Sequence, residues 1–470
     1  MPEKREVVVI DDFSSGFNTR DDAMAIPDNA LAAGSQNAYL TPSKLTVRKG
    51  YTGVGSPAGS DSCTGVFQGV NNIIVTWSDG DVDTLAGTTY TNRGSGTLTD
   101  ALVDFTSYDS FDIFTDGVDV RTWNGTTEAA LAGSPPNYPY IETFMNSVWL
   151  IDNATALVQF SDQEDPETWT GTQIIEVEKG SGPNTGAKAL FDRLVIFKEN
   201  SIHHIVGFDI TSFDRIRVSQ GLGCVSNYSI VSLQSSPNPQ WNGLYWVDRG
   251  GIYFSPDGGF TNIRISDPIQ TTFDSFDQSA LNVSIAENVR SADCIFFSFR
   301  ASGSSVNDRV MAWNYRFGVW CPIFTAMNLR AMGEVAVSNQ YLSYGGESNS
   351  ASGRNVFQLD NGTNDDGSAI SFKAKTKKFF FGGRFEQKKT LRKIVSVHDI
   401  VASTDITVNM TKDFDSSSDG GNTLSMTTNS SEVWYNQNLK LAQFELVQET
   451  LDAATAVRRL EIDYTVEDLD

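Results

Sequence analysis

One pattern recurs along this chain and limits what it can become: a β-hairpin of two short apolar strands joined by turn residues. The clearest copy runs from Phe111 to Gly125. Phe111 and Ile113 alternate with polar residues up to Asp116-Gly117, and Val118 and Val120 alternate again towards Trp123. Period-2 alternation predicts a half-buried strand, and Asp-Gly supplies the positive φ values of a two-residue hairpin turn. Asn124-Gly125 marks a second turn at the far end. Looser copies join 73–77 to 82–85, 148–151 to 156–160, 194–197 to 202–205, 244–247 to 252–254, 294–299 to 309–313, and 341–344 to 356–359. A spacing of roughly 35 to 50 residues is the period of propeller blades, and too long for the coils of a β-helix. No such unit buries both faces alone, so the copies must stack, and radial closure also hides their edges. The expectation is an all-β protein: a β-propeller-like domain of about six or seven blades over residues 56–362, then a C-terminal β-sandwich over 363–470.

Composition agrees with an aromatic-packed, turn-rich β protein: 39 Gly, 29 Phe, 14 Tyr and 9 Trp in 470 residues. The formal net charge of −23 argues against ordinary nucleic-acid binding, which needs basic residues to neutralise phosphates. It does not argue against a surface that DNA must pass without sticking, because like charges repel. Cys63, Cys224, Cys294 and Cys321 show no metal-ligand spacing, and free buried thiols are expected. The opening Met1 to Glu6 is charged and is followed by only Val7 to Ile10. That run is too short for a signal peptide core or a membrane span, so assembly in a cytoplasm is expected.

Residues 1–55 read as an arm. A strand is expected over 7–13 and a turn at Ser14-Ser15-Gly16. Asp28 stands where it would cap a short helix over 29–38, and a strand follows at Leu45-Thr46-Val47. Such an arm either lends a strand that closes the propeller or docks on a neighbouring subunit. The Gly/Ser-rich run 53–65 reads as a linker or long loop. The clearest break is Asp360 to Gly367, made of turn residues alone. Beyond it, strand signals at 370–374, 394–397, 406–410 and 460–466 suggest the sandwich, while 439–457 fits helix or strand. Lys373, Lys375, Lys377, Lys378, Arg384, Lys388, Lys389, Arg392 and Lys393 crowd one stretch of it. They are either a solvated edge strand, where Lys discourages aggregation, or a docking surface for an acidic partner such as another copy of this chain.

No catalytic, cofactor-binding or metal-binding residue is assigned, and no enzyme is expected. Ser255-Pro256-Asp257-Gly258-Gly259-Phe260-Thr261 looks like the Asp box of sialidase-type propellers, a folding turn, although Asn262 stands where Trp is expected. Asp79-Gly80-Asp81-Val82-Asp83 has the look of a calcium loop but lacks a carboxylate at the twelfth position, so a hairpin turn is the simpler reading. His203 and His204 project to opposite faces of one strand and cannot easily share a metal, and His398 is the remaining histidine.

Several stretches, in order, resemble tail hub or nozzle proteins of short-tailed bacteriophages. They are Asp12-Phe13-Ser14-Ser15-Gly16-Phe17-Asn18, Pro27-Asp28, Asn37-Ala38 and Arg48-Lys49-Gly50-Tyr51. Further on come Ala189 to Phe197, Gly250 to Tyr253, Asn314 to Trp320 and Asp365-Asp366-Gly367. The resemblance implies a virion structural protein without catalysis, built into the tail after assembly in the host cytoplasm. It implies a ring, commonly of six copies, that lies below the portal and adaptor, continues the DNA channel, and carries fibres, spikes or a plug. DNA would pass through without specific binding, and no membrane segment is involved. The alternative is a glycan-binding or glycan-hydrolysing, sialidase-like propeller. That would require Arg193, Arg215, Arg264 and Arg290 to converge around a pocket.

Overall fold

Each recurrent hairpin becomes the middle pair of strands in an antiparallel sheet, and seven such sheets stand around one axis. The structure, a computed structural model, describes residues 4–348, 353–382, 387–401, 404–415, 418–451 and 454–466. Blades one to seven span 63–94, 104–130, 140–176, 184–220, 231–264, 285–325 and 329–358. The chain is thus a seven-bladed β-propeller joined to a β-sandwich.

Stacking explains why the middle strands are buried on both faces rather than half-buried. Ile73–Trp77 and Ser147–Ile151 have no exposed residue. Apolar clusters fill the gaps between neighbouring blades, as between blades one and two, three and four, and seven and one. Even the polar half of the Phe111–Thr115 alternation is inside. Asp112 is fully buried and accepts hydrogen bonds from Val70 N (2.7 Å) and Ser107 Oγ (2.7 Å), tying blade two to a turn of blade one. The turn after Thr115 is also not a two-residue one. Thr115 pairs with Val120, and the Asp116 carboxylate organises the four-residue loop by accepting from Val118 N (2.9 Å) and Asp119 N (3.0 Å).

The N-terminal arm is shared between both domains. Lys4–Ile10 pairs with Ala456–Val466, and the hairpin Ala38–Thr41/Lys44–Val47 continues that sandwich sheet beside residues 456–457. Thr52–Gly53 then pairs with Val356–Gln358 as the outer strand of blade seven, so the arm closes its own propeller. The helix expected over 29–38 is absent. Those residues form turns along the edge of the sandwich strand Phe372–Phe380, with Ala32 N donating to Lys375 O (2.8 Å) and Gln36 N to Lys373 O (2.8 Å). An edge strand that would otherwise expose its main chain has captured the backbone donors a helix would have used internally. The second sandwich sheet holds Phe372–Phe380, Leu441–Gln448, Asp405–Lys412 and Asp419–Ser425. Strand Leu441–Gln448 lies within the segment that helix and strand fitted equally in the sequence.

One cluster pins arm, propeller and sandwich together. The Arg48 guanidinium grips Asp365 with Nη1–Oδ1 at 2.8 Å and Nη2–Oδ2 at 2.6 Å, and these side chains are 1% and 2% exposed. Its Nε donates to Asn37 Oδ1 (2.9 Å) and Nη2 to Thr325 O (3.0 Å) of blade six. Asn37 Nδ2 donates onward to Ser371 O (2.7 Å) in the lead into the sandwich. Two steps away, Gly50 lies against Asn364, whose carbonyl oxygen would be 1.7 Å from a Cβ at this position, so only glycine fits. The Asp360–Gly367 break is therefore an anchor. Asp360 accepts from Tyr39 Oη (2.8 Å) and Lys49 Nζ (3.2 Å). Around it, the core of blades five and six runs without interruption into the sandwich core.

Removing one partner of a buried, hydrogen-bonded ion pair typically costs about 3–5 kcal/mol, while an apolar replacement of both is near neutral. Arg48→Met is expected to lower unfolding free energy in urea by about that amount. Arg48→Met/Asp365→Leu is expected to recover most of the loss. An unchanged midpoint in the single variant would refute the anchoring role.

Candidate functional site

The first strand of each blade faces the axis, and a cavity lies in the space between these strands. It measures about 290 Å³ and is lined by blades one to four, six and seven together with residues 227–230 ahead of blade five. A volume of that size holds about ten waters. Its walls are charged. Asp104, Glu142, Lys188, Glu287 and Glu334 come from the first strands of blades two, three, four, six and seven.

These groups neutralise one another only in part. Lys188 Nζ sits 3.0 Å from Glu142 Oε2, and that carboxylate raises the ammonium pKa. The Asp104 carboxylate accepts from Ile141 N (2.9 Å) and Asn227 Nδ2 (2.8 Å), yet burial pushes it up to about 6. Glu287 accepts from Asn288 N (2.7 Å), and burial pushes it up to about 7, with Glu334 adding like-charge repulsion. Glu334 is drawn to Arg290 at the rim (2.8 Å). The turn Asn227–Ser229 reaches across the axis, where Tyr228 Oη donates to Leu102 O (2.7 Å) of the segment leading into blade two. The cavity is thus an acidic pocket with the turn Asn227–Ser229 at its side. None of its residues was assigned from the sequence, because the hairpin pattern marks the second and third strands of a blade. The available signal was a single charge in several of the strands preceding a hairpin.

The eight described residues of the basic stretch do not form one surface. Lys373, Lys375, Lys377 and Lys378 lie on Phe372–Phe380, against the arm: Lys377 Nζ meets Asp28 Oδ1 (2.7 Å) and Lys378 N donates to Ala23 O (2.8 Å). Lys389, Arg392 and Lys393 lie on Lys389–His398, in the opposite sheet. Lys389 is fully buried with its ammonium 4.1 Å from the Phe380 ring centroid, and burial lowers its pKa. Lys393 pairs with Glu432 Oε2 (2.5 Å) over the Trp434 ring. Lys388 is exposed, and Arg384 lies outside the described residues. Both expected roles are thereby narrowed: the edge strand exists, and residues 23–36 of the same chain cover it.

The remaining motifs are structural. Ser255 and Asp257 hold their turn through Gly259 N to Ser255 Oγ (2.7 Å) and Thr261 N to Asp257 Oδ1 (2.8 Å). In the calcium-like loop a guanidinium takes the central place. Arg354, from blade seven, bonds Asp79 and Asp81 (2.9 Å) of blade one together with Asp61 (3.2 Å), so the loop is a latch across the closing seam. Arg193 pairs with Asp192, Arg264 with Asp267 and Arg290 with Glu334, Arg215 lies on the outer strand of blade four, and none of the four lines the axial cavity. His203 meets Glu178 (3.2 Å) and His204 meets Gly258 O (2.7 Å), on separate sides of their strand. All four cysteines are free and buried.

No family model and no curated protein matches this chain. Among solved structures it is similar to the computationally designed protein Ika8, with TM-score 0.37 and 8% identity over 66% of this chain and 100% of that one. It is also similar to YCF48 bound to D1 peptide, with TM-score 0.41 and 11% identity over 66% and 95%. A third is the extracellular domain of a candidate one-component system from B. thetaiotaomicron, with TM-score 0.45 and 7% identity over 83% of this chain and 48% of that one. These likenesses concern the fold alone.

Because Glu287 binds its proton more tightly folded than unfolded, it lends stability at low pH that is lost as pH rises from about 4 through about 7. Glu287→Gln removes that loss. The variant is expected to gain stability relative to the natural chain between pH 5 and pH 8, measured by chemical unfolding at each pH. A constant difference would show that Glu287 ionises as it does in water.

Proposed function

We propose that this chain is a non-enzymatic structural subunit of a virion tail, repeated as a ring in the hub or nozzle of a short-tailed phage. In that role the ring continues the DNA channel below the portal and adaptor and anchors fibres, spikes or a plug. The observation that carries the reading is where the resembling stretches lie. Five of the eight, far apart in sequence, touch one another where arm, blade six and sandwich meet. Phe17 N donates to Trp320 O (2.9 Å), Asn37 holds Arg48, Arg48 clamps Asp365, and Asp366 N donates to Tyr51 O (2.9 Å). Most of the stretches singled out by resemblance thus take part in one architectural device, which supports the reading.

Charge supports the conduit as well. Between residues 56 and 362, carboxylates outnumber basic residues about two to one, and a negative wall lets DNA slide without sticking. An axial cavity with room for about ten waters cannot itself pass a duplex. In this reading DNA runs through the hole of the ring, and each propeller is a solid wall segment.

The test is the solution mass of the purified protein, alone and mixed with portal–adaptor complex, by analytical ultracentrifugation. A closed ring, alone or on the adaptor, is the expected outcome. A chain that stays monomeric at all concentrations and sediments apart from the adaptor would overturn the proposal.

A further inference from the structure

The sandwich sheet that receives the arm has two open edges, one at each end. Its order is Lys4–Ile10, Ala456–Val466, Lys389–His398, Ser430–Leu439. Among the described residues, no further strand pairs with the outer side of Val7–Ile10 or of Ser430–Leu439. Unpaired edges are templates for another strand. Lys4, Arg5 and Glu6 charge one end of the first and a bulge at 435–436 interrupts the second, yet apolar side chains stay exposed beside them. Val7, Val9 and Trp434 are 49%, 40% and 56% exposed.

We infer that the two edges are complementary and that Ser430–Leu439 of one copy pairs with Lys4–Ile10 of the next. This deepens the ring reading and rests on it. Three features of the sheet point to a second copy as the occupant. First, every neighbour in the sheet is antiparallel, so its two outermost strands run in opposite directions. A second copy set beside the first without being turned over therefore offers an antiparallel partner, and the alternation continues unbroken.

Second, the register brings like to like. Val7 lies opposite Asp463, Asp463 opposite Lys393, and Lys393 opposite Trp434. Extending this row places Trp434 of one copy beside Val7 of the next on the same face, a directly opposed aromatic–β-branched pair. Third, the two strands span the same rows of the sheet, with the bulge at 435–436 as the irregularity between them. Ile10 is in line with Ser431 through Leu460 and Ser396, so the incoming strand begins at Ser430, where the hairpin 38–47 takes over the edge. A contact between different patches of identical chains is head-to-tail, the type that closes into rings when the rotation permits.

Cross-linking separates this inference from the ring itself. Within one sheet, Val7 and Trp434 are three strand spacings apart, about 14 Å, too far for a disulfide within one chain. The natural cysteines are buried and stay silent. Under mild disulfide-exchange oxidation on the assembled ring, Val7→Cys and Trp434→Cys are each expected to remain uncross-linked alone. Mixed together they should give a covalent dimer, and Val7→Cys/Trp434→Cys in one chain should give a ladder ending at the ring number. A ring by mass with no mixed dimer overturns the edge pairing while leaving the proposed function standing. A monomer by mass, with no covalent product, overturns both.

Discussion

A single guanidinium–carboxylate contact, Arg48 on Asp365, decides how the two domains of this protein relate. Everything near it has only one comfortable arrangement: Asn37 must turn inward to meet Nε, Gly50 must be without a side chain, and Asp365 must leave the loop and go inside. A buried pair of this kind contributes little net stability compared with an apolar core, because desolvation consumes most of the attraction. Its value is geometric. A bidentate fork tolerates neither slip nor rotation, so the arm enters blade seven and the sandwich sheet at fixed angles.

The propeller obeys a different logic. Each blade is held by apolar surface against its neighbours, and a polar group such as Asp112 enters an interface with hydrogen-bond partners on both sides of it. Where apolar surface stops, at the axis, the walls turn to carboxylates with Lys188 and Arg330 among them. Water is what a pocket of that size and charge accommodates, and the turn Asn227–Ser229 forms part of its wall.

Legibility in the sequence followed the distance over which residues interact. The seven hairpins could be read because each lies within one short window, and turn residues such as Asp79-Gly80 or Asp152-Asn153 mark them locally. The arm's membership in the sandwich could not, since Val9 finds Glu461 across most of the chain and no local pattern announces that partner. Asp360 and Asp365 looked like a loop for the same reason: their partners Tyr39, Lys49 and Arg48 are some 300 residues away. The basic stretch misled through proximity in sequence, since its residues fall on two separate sheets. Residues 29–38 failed as a helix because tertiary main-chain bonds to Lys373 and Lys375 outweighed a weak capping signal.

The placement of the arm also sets a timetable. Strand Lys4–Ile10 and the closing strand Thr52–Gly53 leave the ribosome long before Val356–Gln358 and Ala456–Val466, the strands that receive them. At typical synthesis rates the interval before the last of these emerges is roughly 20 to 90 s. Until blade seven emerges, blade one has neither that neighbour nor its Arg354 latch, and Lys4–Ile10 waits longer still, until Ala456–Val466 appears. Birth of this protein is therefore its most aggregation-exposed moment, and a chain stopped anywhere short of residue 456 would be left with its beginning unpaired.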